Sequence, residues 1–254
     1  RPQSGHPWRL RSGAMGITIL RRVLAALAVA AMFAGGVAHA QSSPAAQRVL
    51  DRARAASGGA AWNKLRGLHE TGQDGGQRYE RWSDPIRYGA RTETHTPAGK
   101  QVQGYNGAGE WRILANGVVT GSTDRNVLAD VRSDAFFGAY AYFFPSRFDV
   151  RGSLLGVRES QGRSFDVVRL EPAGGKARQL WFDRKTGLLG QMVEDQAGKP
   201  LIVEVSDYRR VDGVLAPFKF NTYGGALPRP RERVVEAIDF RPADRDLFSL
   251  PRKP

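Results

Sequence analysis

The sequence predicts a mainly β fold with few helices, built as an antiparallel sandwich or barrel. Three observations carry that reading. Ala177–Tyr223 contains four consecutive segments in which apolar and polar side chains alternate, tight-turn residues separate them, and the same punctuation recurs along most of the chain. Period-two alternation buries one face of a strand and wets the other, which is the mark of antiparallel sheets. The first segment, Ala177–Phe182, ends at Asp183-Arg184-Lys185-Thr186-Gly187, where Asp caps the turn and Gly can take the left-handed conformation. Leu188–Glu194 follows and ends at Asp195-Gln196-Ala197-Gly198. The third segment sets Leu201, Val203 and Val205 on one face, opposite Glu204 and Ser206. The fourth sets Val214, Ala216, Phe218 and Phe220 opposite Lys219 and Asn221. Pro217 lacks a ladder donor and should mark an edge or a bulge.

The chain opens with residues 1–14, read as an over-extended start or added sequence, followed by a secretory signal over 15–40. Arg21 and Arg22 precede an apolar run from Val23 to Phe33, and Ala38-His39-Ala40 has the small–x–small form of a cleavage site, so processing is expected between Ala40 and Gln41. The apolar run falls short of the roughly 20 residues a membrane span needs. Residues 41–254 then form one domain. Losing residues 1–40 removes five Arg and no acid, taking the net charge from +13 to +8. Of 38 basic residues 31 are Arg, no run of five basic residues occurs, and cysteine is absent. Nucleic acid is therefore excluded as a partner, while transient contact with an anionic membrane surface fits the charge.

Ser43-Pro44 begins a helix through Ser57, with Val49, Leu50, Ala53 and Ala56 on one face and Gly58-Gly59 as its stop. Strands are expected around Leu68–Thr71, Gln77–Trp82, Ile86–Thr94, Lys100–Tyr105, Glu110–Ala115 and Val118–Ser122. The pattern turns helical over Asp124–Tyr140 and runs into an aromatic stretch that Pro145 closes. Ser153–Glu159, Ser164–Glu171 and Arg233–Phe240 complete the strands.

Trp181-Phe182-Asp183-x-x-Thr186-Gly187-Leu188, Ser206-Asp207-Tyr208-Arg209 and Val211-Asp212-Gly213-Val214-Leu215-Ala216-Pro217-Phe218 resemble the second half of LolA/LolB-like domains. Ile238-Asp239-Phe240 through Pro251 resembles the way such domains finish. Ala56-Ser57-Gly58-Gly59-Ala60-Ala61-Trp62 resembles the version that precedes bacterial aspartic proteases. The resemblance implies an exported, periplasmic half-barrel of about eleven strands wrapped around one or two helices, with an apolar cavity for acyl chains. The chain departs from the lipoprotein chaperones in lacking their central Arg-and-aromatic motifs.

Catalytic groups are sparse. His69 and His95 are the histidines of the mature range, neither at a metal-ligand spacing, and no G-x-S-x-G elbow or Cys nucleophile occurs. Gly104–Gly109 is glycine-rich, yet a strand pattern follows it where a phosphate cradle needs a helix. The expectation is a non-enzymatic, cofactor-free monomer that binds a lipid or lipoprotein acyl chain; an interaction module without a small ligand and a hydrolase are the alternatives. Trp111, Phe136, Phe137, Tyr140, Phe143 and Trp181 are the expected ligand contacts, as a cavity mouth over a sheet wall. The same aromatics would serve equally as core, because burial favours both in the same way.

Overall fold

The computed structural model describes residues 42–251, so the expected signal segment over 15–40 and the cleavage expected after Ala40 lie outside the described residues. Thirteen strands form a single antiparallel sheet that curves without closing into a barrel. They are β1 (Leu68–Asp74), β2 (Gln77–Ser83), β3 (Gly89–Thr96), β4 (Gly99–Asn106), β5 (Glu110–Ile113), β6 (Val119–Ser122), β7 (Val150–Ser160), β8 (Arg163–Pro172), β9 (Arg178–Asp183), β10 (Leu189–Gln196), β11 (Lys199–Val211), β12 (Val214–Gly224) and β13 (Arg231–Asp239). Their order across the sheet is 6-5-4-3-2-1-13-12-11-10-9-8-7. Every neighbour but one is therefore also the next strand in sequence, the exception being β1 against β13. The alternation gave thirteen segments where the resemblance implied about eleven.

Two helices and three 3-10 turns complete the described chain. Helix α1 (Pro44–Ala56) starts where expected: Ser43 Oγ accepts from the Ala46 N–H at 3.2 Å, and Pro44 fills the first turn. Its Ala46, Val49, Leu50 and Ala53 are buried. Helix α2 (Arg125–Gly138) is capped by Asp124, whose carboxylate accepts from the N–H groups of Asn126 and Val127. Ser133 on α2 exchanges hydrogen bonds with the backbone of Lys176, and Arg132 donates to the Ala173 carbonyl, which moors this helix to the β8–β9 connection. The core unites α1, Trp62, the aromatic run Phe136–Phe148 and the inward faces of β8, β9 and β12.

One boundary moved for a local reason, and one proline sits where its missing donor does no harm. The strand expected from Ile86 begins only at Gly89, because Asp84 accepts from the Ile86 and Arg87 N–H groups and holds those residues in a turn. Pro217 lies on the part of β12 beyond its ladder with β13, which spans Lys219–Thr222, so no ladder bond to that strand is lost.

The turn after β9 forms as the residues dictate. Asp183 Oδ1 accepts from the N–H groups of Lys185 and Thr186 and from the Thr186 hydroxyl, while Gly187 takes φ 77°. Burial pushes the Asp183 carboxyl up, but the Thr186 groups and the Arg163 guanidinium outweigh it and hold it below the usual carboxylate range. A depressed carboxyl contributes stability above its unfolded value of roughly 3.9 and loses it as pH falls through the folded value. Asp183→Asn should therefore be less stable than wild type at neutral pH, with the gap closing below about pH 4. Urea titrations at pH 7 and pH 3 test this, and an equal gap at both would sink it.

Candidate ligand cavity

A cavity of about 750 Å³ opens on the inner face of the sheet. That is well within the roughly 300–1,000 Å³ of small-ligand sites. Its walls follow from strand register, since directly paired residues share a face. One row runs Val168–Leu180–Met192–Val203–Thr222–Arg231 from β8 to β13. The next runs Val205–Phe220–Arg233. A third crosses the other half as Glu70–Arg81–Thr92–Gln103. The inner face is thus apolar over β9–β12 and turns polar and cationic from β13 to β4. Leu189, Met192, Leu201 and Val203 face this cavity, and each remains only half-buried.

No family model matches the chain, and no curated protein matches its sequence. Solved structures do match. An outer membrane lipoprotein-sorting protein domain of Vibrio parahaemolyticus superposes with TM-score 0.55 at 14% identity, covering 80% of this chain and 96% of its own. A LolA superfamily protein of Nitrosomonas europaea gives 0.53 at 14% identity, over 81% of this chain and 97% of its own. A DUF1329 family protein of Desulfovibrio piger gives 0.51 at 14% identity, over 80% and 97%. The chain has the LolA-like fold.

Within this LolA-like half-barrel the six expected contact residues occupy different places. Phe137 and Tyr140 line the cavity. Phe137 lies under the Arg178 guanidinium, 5.1 Å from its ring centroid. Tyr140 adopts the left-handed conformation at φ 53°, and its ring stands 5.1 Å from that of Trp62. Phe136 and Phe143 are buried behind them: Phe136 packs edge-on to Phe137 at 5.0 Å and to Phe148 at 5.9 Å, and Phe143 against Trp62 at 5.1 Å. Trp181 follows Leu180, whose side chain faces the cavity, so alternation sends it to the outer face beside Phe165.

Trp111 also belongs to the outer face. It pairs with Gly104, which pairs with Arg91, then Trp82, then His69, then Asp239. The indole lies flat over Gly104, where a Cβ would come within 2.1 Å of the ring, so glycine is required there. Trp111 Nε1 donates to the Phe248 carbonyl at 2.9 Å and Arg91 donates to the Leu247 carbonyl at 3.2 Å. Together they pin the C-terminal turn Arg245–Phe248 to the back of the sheet. Farther along this row His69 lies 2.8 Å from Glu80 and 3.1 Å from Asp239 and stacks on Trp82. Its two nitrogens reach carboxylates on opposite sides of the ring. Among the described residues no group of three His, Cys, Asp or Glu gathers to hold a metal ion.

The inner-face residues Leu189, Met192, Leu201, Val203, Arg81 and Arg233 are what the sequence reading did not assign to a site. The alternation at Leu201–Val205 was visible, but alternation alone reads as core. The usable signal was a mismatch: more inward-facing apolar strand positions than two short helices can cover.

Proposed function

We propose that this chain is a non-enzymatic carrier that holds an acyl chain of a lipid or lipoprotein in the inner-face cavity, exported through cleavage after Ala40 to act in the periplasm. One observation carries the reading: the half-buried apolar wall of Leu189, Met192, Leu201 and Val203, facing a space large enough for a small ligand. An acyl chain lying there would bury that wall at roughly 25 cal/mol per Å² of apolar surface. Phe137 and Tyr140 would touch the ligand at the helix-side rim, with Phe136 and Phe143 supporting them from behind. The LolA-like fold, shared with a lipoprotein-sorting domain, is consistent with this use.

Delipidated protein should take up a fluorescent fatty acid at one per chain, and protein purified from its own periplasm should carry lipid in native mass spectra. Met192→Lys, at the middle of the apolar wall, should abolish uptake while the half-buried position lets the new ammonium reach water and keeps the melting temperature nearly unchanged. A wild type that neither takes up fatty acid nor copurifies with lipid would leave the protein-interaction reading in its place.

A further inference from the structure

The polar half of the cavity contains cations that differ in their partners. Arg233 faces Glu70 at 3.5 Å and lies 3.9 Å from the Phe220 ring centroid, and Glu70 also accepts from the Tyr79 hydroxyl at 3.1 Å. Arg231 pairs with Asp74, and Arg178 with both Asp134 and Glu194. Arg81 stands apart. Among the described residues it has no ion pair, and its one hydrogen bond is a long 3.4 Å contact to the Asp134 carbonyl at the end of α2. The room it occupies is made by Gly138, where a Cβ would stand 1.9 Å from Arg81 Nη2. Tyr140 lines the same cavity, and its hydroxyl has no hydrogen-bond partner among the described residues. Burial and then the nearby Glu70 carboxylate push that phenol up, so it remains a donor, and Arg233 and Arg81 also lie within electrostatic reach of it. An unpaired guanidinium and an unused hydroxyl donor therefore face one space whose opposite wall is apolar.

Resting on the carrier reading above, we propose that Arg81 and the Tyr140 hydroxyl receive the anionic head of a single-chain amphiphile, a carboxylate or a phosphate monoester, whose tail lies along Leu189, Met192, Leu201 and Val203. A guanidinium in a partly dry site binds such an anion through charge-assisted hydrogen bonds, and the tail direction follows from the apolar wall. The cavity then selects for charge at one end and length at the other.

The test displaces a neutral fluorescent naphthylamine from delipidated protein with palmitate, hexadecyl phosphate and methyl palmitate. Wild type should prefer at least one of the anions to the ester by roughly tenfold or more, the size expected of one charge-assisted contact. Whichever anion wins names the head. Arg81→Met should bring that anion to the affinity of the ester and leave the ester unchanged. Gly138→Ala should do the same by displacing the guanidinium, while the added helix propensity supports α2. Equal binding of ester and anions by wild type overturns the head-group site but leaves the carrier reading standing. So does a loss in Arg81→Met that is the same for all three probes. Binding of none of the three overturns both.

Discussion

Trp62→Ala is expected to lower the stability of the chain by about 3–5 kcal/mol, the range for removing a buried Trp or Phe. For a domain of this size that is a fall in melting temperature of roughly 6–20 °C. Trp62 is 1% exposed and sits where α1, the aromatic run and the end of the sheet meet. Its ring stands 5.1 Å from those of Tyr140 and Phe143 and 6.4 Å from Phe240. Its Nε1 donates to Ser57 Oγ at 3.0 Å, so truncation also leaves a buried hydroxyl one partner short. Calorimetry of wild type and variant decides it, and a loss below 1 kcal/mol would show that the aromatic knot is not the core. Tyr140, held left-handed against Trp62, should lose its fixed place at the cavity rim in the same variant.

The second large effect is expected at Arg178. This guanidinium bridges Glu194 on β10 and Asp134 on α2, at 2.6 and 2.5 Å, with only 10% of its side chain exposed. It also covers the Phe137 ring. Arg178→Met keeps much of the volume but leaves Glu194, itself 15% exposed, without its cation. Breaking one side of a buried pair costs about 3–5 kcal/mol, and the exposure of Asp134 places the expected loss near 3. Arg178→Met with Glu194→Met should recover at least half, because an apolar pair of similar volume often matches a buried ion pair. Chemical denaturation of the two single variants and the double decides between the ion pair and simple packing. A double variant as unstable as Arg178→Met alone would refute the pairing argument.

How much of this was legible beforehand differs by element. The β succession, both helices and the Asp183 turn depend on local signals such as alternation, caps and glycine. Those signals act over a few residues, and the structure places these elements where the residues implied. The inner and outer faces were less accessible. Trp111 and Trp181 carry the same apolar area as Phe137, and only register across β4–β5 and β9–β10 assigns them to the back of the sheet. Arg81 illustrates a further step. The chain has 31 Arg residues, and what distinguishes this one is the glycine at 138, which is 57 positions away in sequence. Such a relation is written in tertiary space alone.

The lone ladder between strands distant in sequence has a consequence for how the sheet is held. His69 and Asp239 are 170 residues apart, whereas every other ladder closes through a hairpin or one short connection. By chain-closure entropy, joining β1 to β13 costs about 2.5 kcal/mol more than closing a loop of roughly ten residues. Side chains cross that seam repeatedly: Glu70 to Arg233, Asp74 to Arg231, His69 to Asp239 and Gln73 to Glu236. The seam is stitched by charge where hairpin ladders are set by their turns. Added salt screens such stitches more strongly at the exposed pairs than at Glu70 and Arg233. Glu70 and Arg233 also line the cavity, so the proposed head-group site adjoins the suture between the two halves of the molecule.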